Sequence, residues 1–318
     1  MTIRALAPVL FAACGLAQTL PGVDPGLLNL VMPDAKVLSG IQVDQSLASP
    51  FGRYVLSQMQ PNDPGFLQFI TATGFDPTKN LTQILMATGA SVDQNNVLVL
   101  GRGTFVPTQI ASAAIAQGGS VTTYNGVSLI TGPGNASNTS LAFPDNSTAT
   151  IGSVAMVEAA IDRYQSKATY SGNLAAPALA VSTANSAWFA TETPLSDFLS
   201  GKVSGQLGSV SQNNLFQAIT AASGGITFGA SSVTVTGDAV TTSAQNAQAL
   251  VDVLKFLVSM VQSNANNQAV NTVANAATFT ANGATTHMSL SLPEQQAEQL
   301  FMLQGQGQSR PMRRKPVQ

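Results

Sequence analysis

The chain has 318 residues, of which 44% are hydrophobic and only 9% carry a charge, against about 25% charged in an average soluble domain. Four of the 13 basic residues crowd the last nine positions and Arg4 stands near the start, which leaves eight basic against 15 acidic groups in between. That mildly acidic body excludes the basic face of a nucleic-acid binder, and its Ser, Thr, Asn, Gln, Ala and Gly surface does not steer a charged partner.

The length suffices for one large domain or two ordinary ones, with a core that needs no disulfide or metal. Residues 1–17 have the three parts of a secretory signal: Arg4, an apolar run from Ala5 to Ala13 broken by Pro8, and small residues at Gly15 and Ala17. Cleavage after Ala17 starts the mature chain at Gln18, and the following "QTLPGVDPG" cannot continue a helix. The run is shorter than the roughly 20 residues of a membrane span. "FAAC-G" also resembles the lipobox of bacterial lipoproteins, with Phe11 where that pattern prefers Leu. Cys14 is the single cysteine. The mature protein therefore carries either a lipid anchor at Cys14 or no thiol at all, and both outcomes stay open.

Beyond the leader the pattern predicts a strand at Lys36 to Val43 and a helix opening near Ser49-Pro50. A helix closed by Gly74, a turn at Asp76-Pro77, a short helix and a strand near Ile84 to Thr88 follow. Val97 to Phe105 reads as a strand, and the next helix has Pro107 in its first turn and Gly118 as its stop. Asn125-Gly126 between two β-prone runs predicts a tight hairpin. Residues 131–150 read as an Asn/Ser/Thr-rich excursion containing a short strand, Leu141 to Phe143. A strand and a helix with Val154, Val157, Ile161 and Tyr164 on one face come next.

The small, Gly/Pro/Ala-rich stretch from Lys167 to Asn185 is the best candidate boundary. Two hairpin-then-helix units then predict a helix from about Ser243 to Gln262, a turn at Asn282-Gly283, and a capping box from Ser291 to Glu294. The expectation is an α+β fold: antiparallel sheets with helices packed on one face, in two ferredoxin-like halves. The domains are 24–167 and 186–304, preceded by the signal at 1–17 and followed by a disordered basic tail at 305–318.

"SPFG" at Ser49 to Gly52, "TGFDPTKNLTQILMATG" at Thr73 to Gly89 and "VLVLGRGTF" at Val97 to Phe105 span about a third of the chain. They resemble segments of uncharacterised exported bacterial proteins. The resemblance implies export and a two-domain α+β fold, and it supplies no catalytic residue.

No catalytic, cofactor-binding or metal-ligating set emerges. The single histidine, His287, alternates with Met288, Leu290 and Leu292, which puts it on the polar side of a strand. No G-x-S-x-G elbow exists. "GRGTFV" at Gly101 to Val106 lacks the third glycine of a dinucleotide fingerprint and reads as a bend. Gly201-Lys202 lacks the earlier glycine of a phosphate loop, and Asp145-Asn146 reads as a turn. Trp188 and Phe189 read as core. Glu158 and Asp162, four apart on one helix face, are the carboxylates a hydrolase would use.

The sequence thus predicts an exported protein, periplasmic or secreted, that works as a non-enzymatic binding or scaffold module of the cell envelope. It needs no cofactor and meets a protein or apolar small-molecule partner. A membrane is met only in the form that carries a lipid on Cys14. Two alternatives stand beside this reading: a carboxylate-dependent enzyme, and a lipoprotein carrying an apolar ligand.

Overall fold

The computed structural model describes residues 22–59, 70–89, 96–134, 138–193, 217–264 and 268–306. Cys14, the cleavage position at Ala17, Gly201-Lys202 and the tail beyond Gln306 lie outside the described residues.

The strands join in one twelve-stranded sheet. Its strands are β1 (Val37–Gln42), β2 (Leu81–Thr88), β3 (Val97–Gly103), β4 (Ser120–Tyr124), β5 (Val127–Thr131) and β6 (Thr139–Asp145), then β7 (Thr148–Ser153), β8 (Ala187–Thr191), β9 (Ile219–Phe228), β10 (Ser232–Thr241), β11 (Ala277–Asn282) and β12 (Thr285–Pro293). Their order across the sheet is β11-β12-β10-β9-β8-β1-β2-β3-β7-β6-β5-β4. Every pairing among the described residues is antiparallel. The α+β class with an antiparallel sheet is therefore as expected. The ferredoxin-like halves are not, because a split βαβ unit leaves room for a third strand between its first two, whereas here β1, β2 and β3 pair directly in chain order. β8 pairs with β1 and β9 alike, so the sheet continues across the candidate boundary.

The chain also forms α1 (Pro25–Leu28), α2 (Val43–Ala48), α3 (Pro50–Met59), α4 (Pro77–Asn80), α5 (Pro107–Ala116), α6 (Val154–Gln165), α7 (Ala175–Ala184), α8 (Ala244–Asn264), α9 (Gln268–Ala276) and α10 (Glu294–Gln306), and residues 70–73 are helical up to the expected stop at Gly74. The small residues read as a boundary form α7, because Leu174, Ala178 and Val181 lie buried against the sheet core. α10 runs to Gln306, so the first two residues of the expected tail are helical.

Turn chemistry held where glycine was required. Asn125 and Gly126 both take positive φ, 47° and 81°, as the predicted two-residue hairpin demands. The second hairpin turns one residue later than expected: β11 includes Asn282, and Gly283 (φ 55°) is the first central residue, the place for glycine in a type II′ turn. The capping box at Ser291 does not form. Ser291 stays in the β12 ladder, its hydroxyl 3.1 Å from that of Thr234 across the strands.

The helices do not keep to one face. Over β8, β1, β2 and β3 one face is sealed by the segment around α1 and by α6 and α7. Leu38, Leu85, Leu98 and Leu100 there are 0% exposed beneath Leu27, Leu30, Leu174 and Ala160. At the other end of the sheet α3 and α10 pack on the reverse face, where Phe51 and Ala297 meet Val233. α8 lies on that reverse face too, since Thr286 hands its hydroxyl proton to the Ala247 carbonyl at 3.0 Å. α5 packs near the opposite end through Ile110.

The sealed face is locked by polar clamps. Gln83 accepts from the Asp24 amide at 2.6 Å and donates to the Gln42 side-chain oxygen at 2.6 Å, which fixes the entering chain on β1 and β2. Burial pushes the Asp24 carboxyl up, but the Arg102 guanidinium and the Leu27 amide outweigh it and hold it below its usual value. Asp145 behaves likewise: its partial burial is outweighed by donation from Tyr164 (2.7 Å), Ser147 and Thr148. Burial drives the Arg163 side chain downward, and its Nε donates to the Leu30 carbonyl at 2.9 Å.

Candidate functional site

Side chains alternate between faces along a strand, so the register decides which residues share the reverse of the sealed core. Phe189, Ser39, Met86, Val99 and Ile151 form one row across β8, β1, β2, β3 and β7. Ala187, Ile41, Ile84, Gly101 and Ala149 form the next. Neither row contains a charge and only Ser39 is polar. Four of these side chains are large, apolar and exposed: Ile41 at 43%, Ile151 at 40%, Phe189 at 39% and Met86 at 38%. Gathered side by side they make a continuous apolar patch, where scattered surface hydrophobics would be unremarkable.

Helical walls turn this patch into a trough with two hollows. The first, about 210 Å³, lies toward α5. Its wall is an aromatic stack, Phe75 on Phe105 at 5.5 Å and Phe105 on Phe143 at 5.1 Å between ring centroids. Its floor is Gly101, Ala149 and Ile151. The second, about 300 Å³, lies toward α2 and α3. It is walled by Val43, Val55, Pro77 and Phe228, with Ile41 and Ala187 beneath. Leu81 and Ile84 line both hollows and stand between them.

Local sequence explains the walls. In "SPFG" the Ser49 hydroxyl donates to the Ser46 carbonyl at 2.9 Å and accepts from the Gly52 amide at 2.9 Å, closing the α2–α3 corner. A Cβ on Gly52 would stand 1.8 Å from the Ser46 carbonyl oxygen, so only glycine fits. In "LGRGTF" a Cβ on Gly103 would stand 2.1 Å from the Asn80 carbonyl oxygen. The bend after β3 depends on that approach and delivers Phe105 to the first hollow.

Among the described residues the two hollows are lined almost wholly by apolar side chains. Of the polar side chains lining them, Ser46 donates to the Gln42 carbonyl (2.7 Å) and Thr78 to the Asp76 carboxylate (2.7 Å). Such a surface binds by removing hydrocarbon from water, at about 25 cal/mol per Å². Among the described residues no acidic or basic side chain lines either hollow.

The residues singled out from the sequence fall elsewhere, with two exceptions. Trp188 and Phe189, read together as core, part company: Trp188 is 4% exposed on the sealed face over Gly40, and Phe189 opens on the trough side. Strand alternation sends neighbours to opposite faces, so one pair could not share one fate. "GRGTFV" is the expected bend, and it also builds the first hollow. Asp162 is exposed and accepts from Tyr124 (3.0 Å) and Asn125 (2.9 Å). Neither it nor Glu158 lines a hollow of the trough. Asp162 raises the Tyr124 phenol by its hydrogen bond.

His287 lies on the polar face as expected, its Nδ1 2.6 Å from the Asp238 carboxylate. Both border an open hollow of about 530 Å³ with Glu192, Ser223 and Asn282, on the other side of the sheet from the trough. Among the described residues no three His, Cys, Asp or Glu side chains cluster as metal ligands, and none of the described helices is long and apolar enough to cross a membrane. Sequence reasoning missed the trough because its floor comes from five strands that are distant in the chain. The signal available was "LTQILMAT", whose two alternate sets, Ile84/Met86 and Leu85/Ala87, are both apolar.

No protein-family model and no curated protein matches this chain. Solved structures do. Crystal form III of TP0453 aligns with a TM-score of 0.55 at 12% identity, covering 88% of this chain and 98% of that one. Crystal form IV gives 0.52 at 12% identity, with 87% and 96% covered. Crystal form I gives 0.50 at 11% identity, with 88% and 96% covered. Across nearly the full length of both chains, the likeness is one of fold.

Proposed function

We propose that this protein is an exported, non-enzymatic binding module of the cell envelope that carries an apolar ligand in the trough. The observation that supports it most directly is the contrast between the two faces of the central strands. One face is sealed to 0% exposure at four leucines, whereas the other leaves Ile41, Met86, Ile151 and Phe189 exposed, with Ile151 lining the first hollow and Ile41 the second. Leaving that much hydrocarbon in water is unfavourable unless something covers it. Concave, mostly apolar hollows of a few hundred Å³ are the usual form of small-molecule sites. Export rests on the leader pattern of residues 1–17, with release after Ala17 or acylation at Cys14 as its two forms.

The test is titration with an environment-sensitive naphthylamine dye, followed by displacement with a long-chain fatty acid. Bright, displaceable fluorescence that Ile84→Asn abolishes, with the fold intact by circular dichroism, is the expected result. A flat titration of the wild-type protein would sink the reading. Intact mass of membrane and soluble fractions tests export: a soluble species starting at Gln18, or an acylated one starting at Cys14, is expected, and an uncleaved Met1 refutes it.

A further inference from the structure

The two hollows share a ridge. Leu81 and Ile84 line both, the floors are adjacent rows of one sheet, and both open on the same face. Their volumes, about 210 Å³ and 300 Å³, fall below or at the lower edge of the range in which a single drug-sized molecule is enclosed. A broad rigid ring system that filled one hollow would strike the ridge before reaching the other. A pair of flexible chains meets no such obstacle.

Polarity then decides what stays outside. Ser46 and Thr78 already give their hydroxyl protons to Gln42 and Asp76, and among the described residues the first hollow is lined by apolar side chains and Gly101. A polar head buried there would lose its water without gaining a partner, which is strongly unfavourable. The head must therefore remain in solvent while hydrocarbon alone enters.

We infer that the ligand is a two-chain amphiphile that straddles the Leu81–Ile84 ridge, one hydrocarbon arm in each hollow and the head above the ridge. This rests on the reading of the trough as an apolar-ligand site. The two hollows are unlike: the first is walled by three packed rings, the second mainly by aliphatic side chains with the single Phe228 ring. Each arm therefore meets its own wall, and the arms of one molecule are held in distinct surroundings.

Two zwitterionic probes of equal chain length test this below their micelle concentrations: dioctanoyl phosphatidylcholine with two chains, and octyl phosphocholine with one. Calorimetry should show one two-chain molecule per protein and two single-chain molecules per protein. Ala149→Phe fills the first hollow and Ala187→Phe the second. Each substitution should weaken the two-chain probe roughly a hundredfold and cut single-chain binding from two sites to one.

Because a floor substitution can disturb the sheet, the wild-type complex supplies a second readout. Nuclear Overhauser contacts from one bound two-chain molecule should reach both the Phe143 ring and the Val55 methyls. Contacts from one side alone, or a two-chain affinity unchanged by either substitution, would overturn the two-arm assignment. Wild-type protein that binds neither probe would overturn the apolar-ligand reading beneath it.

Discussion

Arg102 grips Asp24 across 78 residues of sequence through two hydrogen bonds, Nη2 to Oδ1 at 2.7 Å and Nε to Oδ2 at 3.1 Å. The same carboxylate accepts from the Leu27 amide at 2.9 Å and so starts α1. One ion pair thereby holds the entering chain over β3 and leaves the trough side clear. The two-pronged geometry suits guanidinium, and lysine cannot reproduce it. Arg102→Lys should lower stability by about 1 kcal/mol and Arg102→Met by about 1–2 kcal/mol in urea unfolding, since both partners are partly screened by water. Dye binding in the trough should survive both.

Acid should loosen the same clamp. The carboxyl groups of Asp24, Asp145 and Asp76 are all held below their usual range. A group depressed in the folded state stabilises it above the unfolded pKa, and that contribution is lost as pH falls through the folded value. The urea midpoint should therefore drop between neutral pH and about pH 3. Asp24→Asn should be less stable at neutral pH and lose less on acidification. An equal acid loss in wild type and variant would remove Asp24 from the account.

Leu85 and Met86 are chain neighbours with opposite surroundings, 0% and 38% exposed. Leu85→Ala opens a cavity in the sealed core and should cost about 2–5 kcal/mol. Met86→Thr should change stability by no more than about 0.5 kcal/mol. A large loss at Met86 would mean that the trough side is packed against something in the free protein.

Gly52 should tolerate no side chain. Gly52→Ala would drive its Cβ against the Ser46 carbonyl and force the α2–α3 corner to shift, a distortion worth about 1–3 kcal/mol. The second hollow is walled by that corner, so dye affinity should fall along with thermal stability. A variant of native stability and native affinity would refute the role given to "SPFG".

Much of this fold was legible in the sequence because its causes are local. Alternation identified the strand around His287, Pro107 and Gly118 bounded α5, and Asn125-Gly126 fixed a hairpin. Glycines in "SPFG" and "GRGTF" stood out as motifs, and steric contact explains them. Ser291 misled, since a hydroxyl at the end of a strand can cap a helix or stay in the ladder, and Thr234 on β10 made the choice.

What the sequence determined by itself was the position of most strands, the helix stops and the tight turns, because each depends on a few residues in a row. What only the tertiary structure decided was which strands lie side by side, and so which of two apolar sets on β2 is sealed and which is left open. Leu85 and Ile84 look alike in the chain. The Asp24–Arg102 and Gln42–Gln83 clamps place the entering segment over Leu85, while Ile84 faces the trough, where α5 and α3 stand apart on either side.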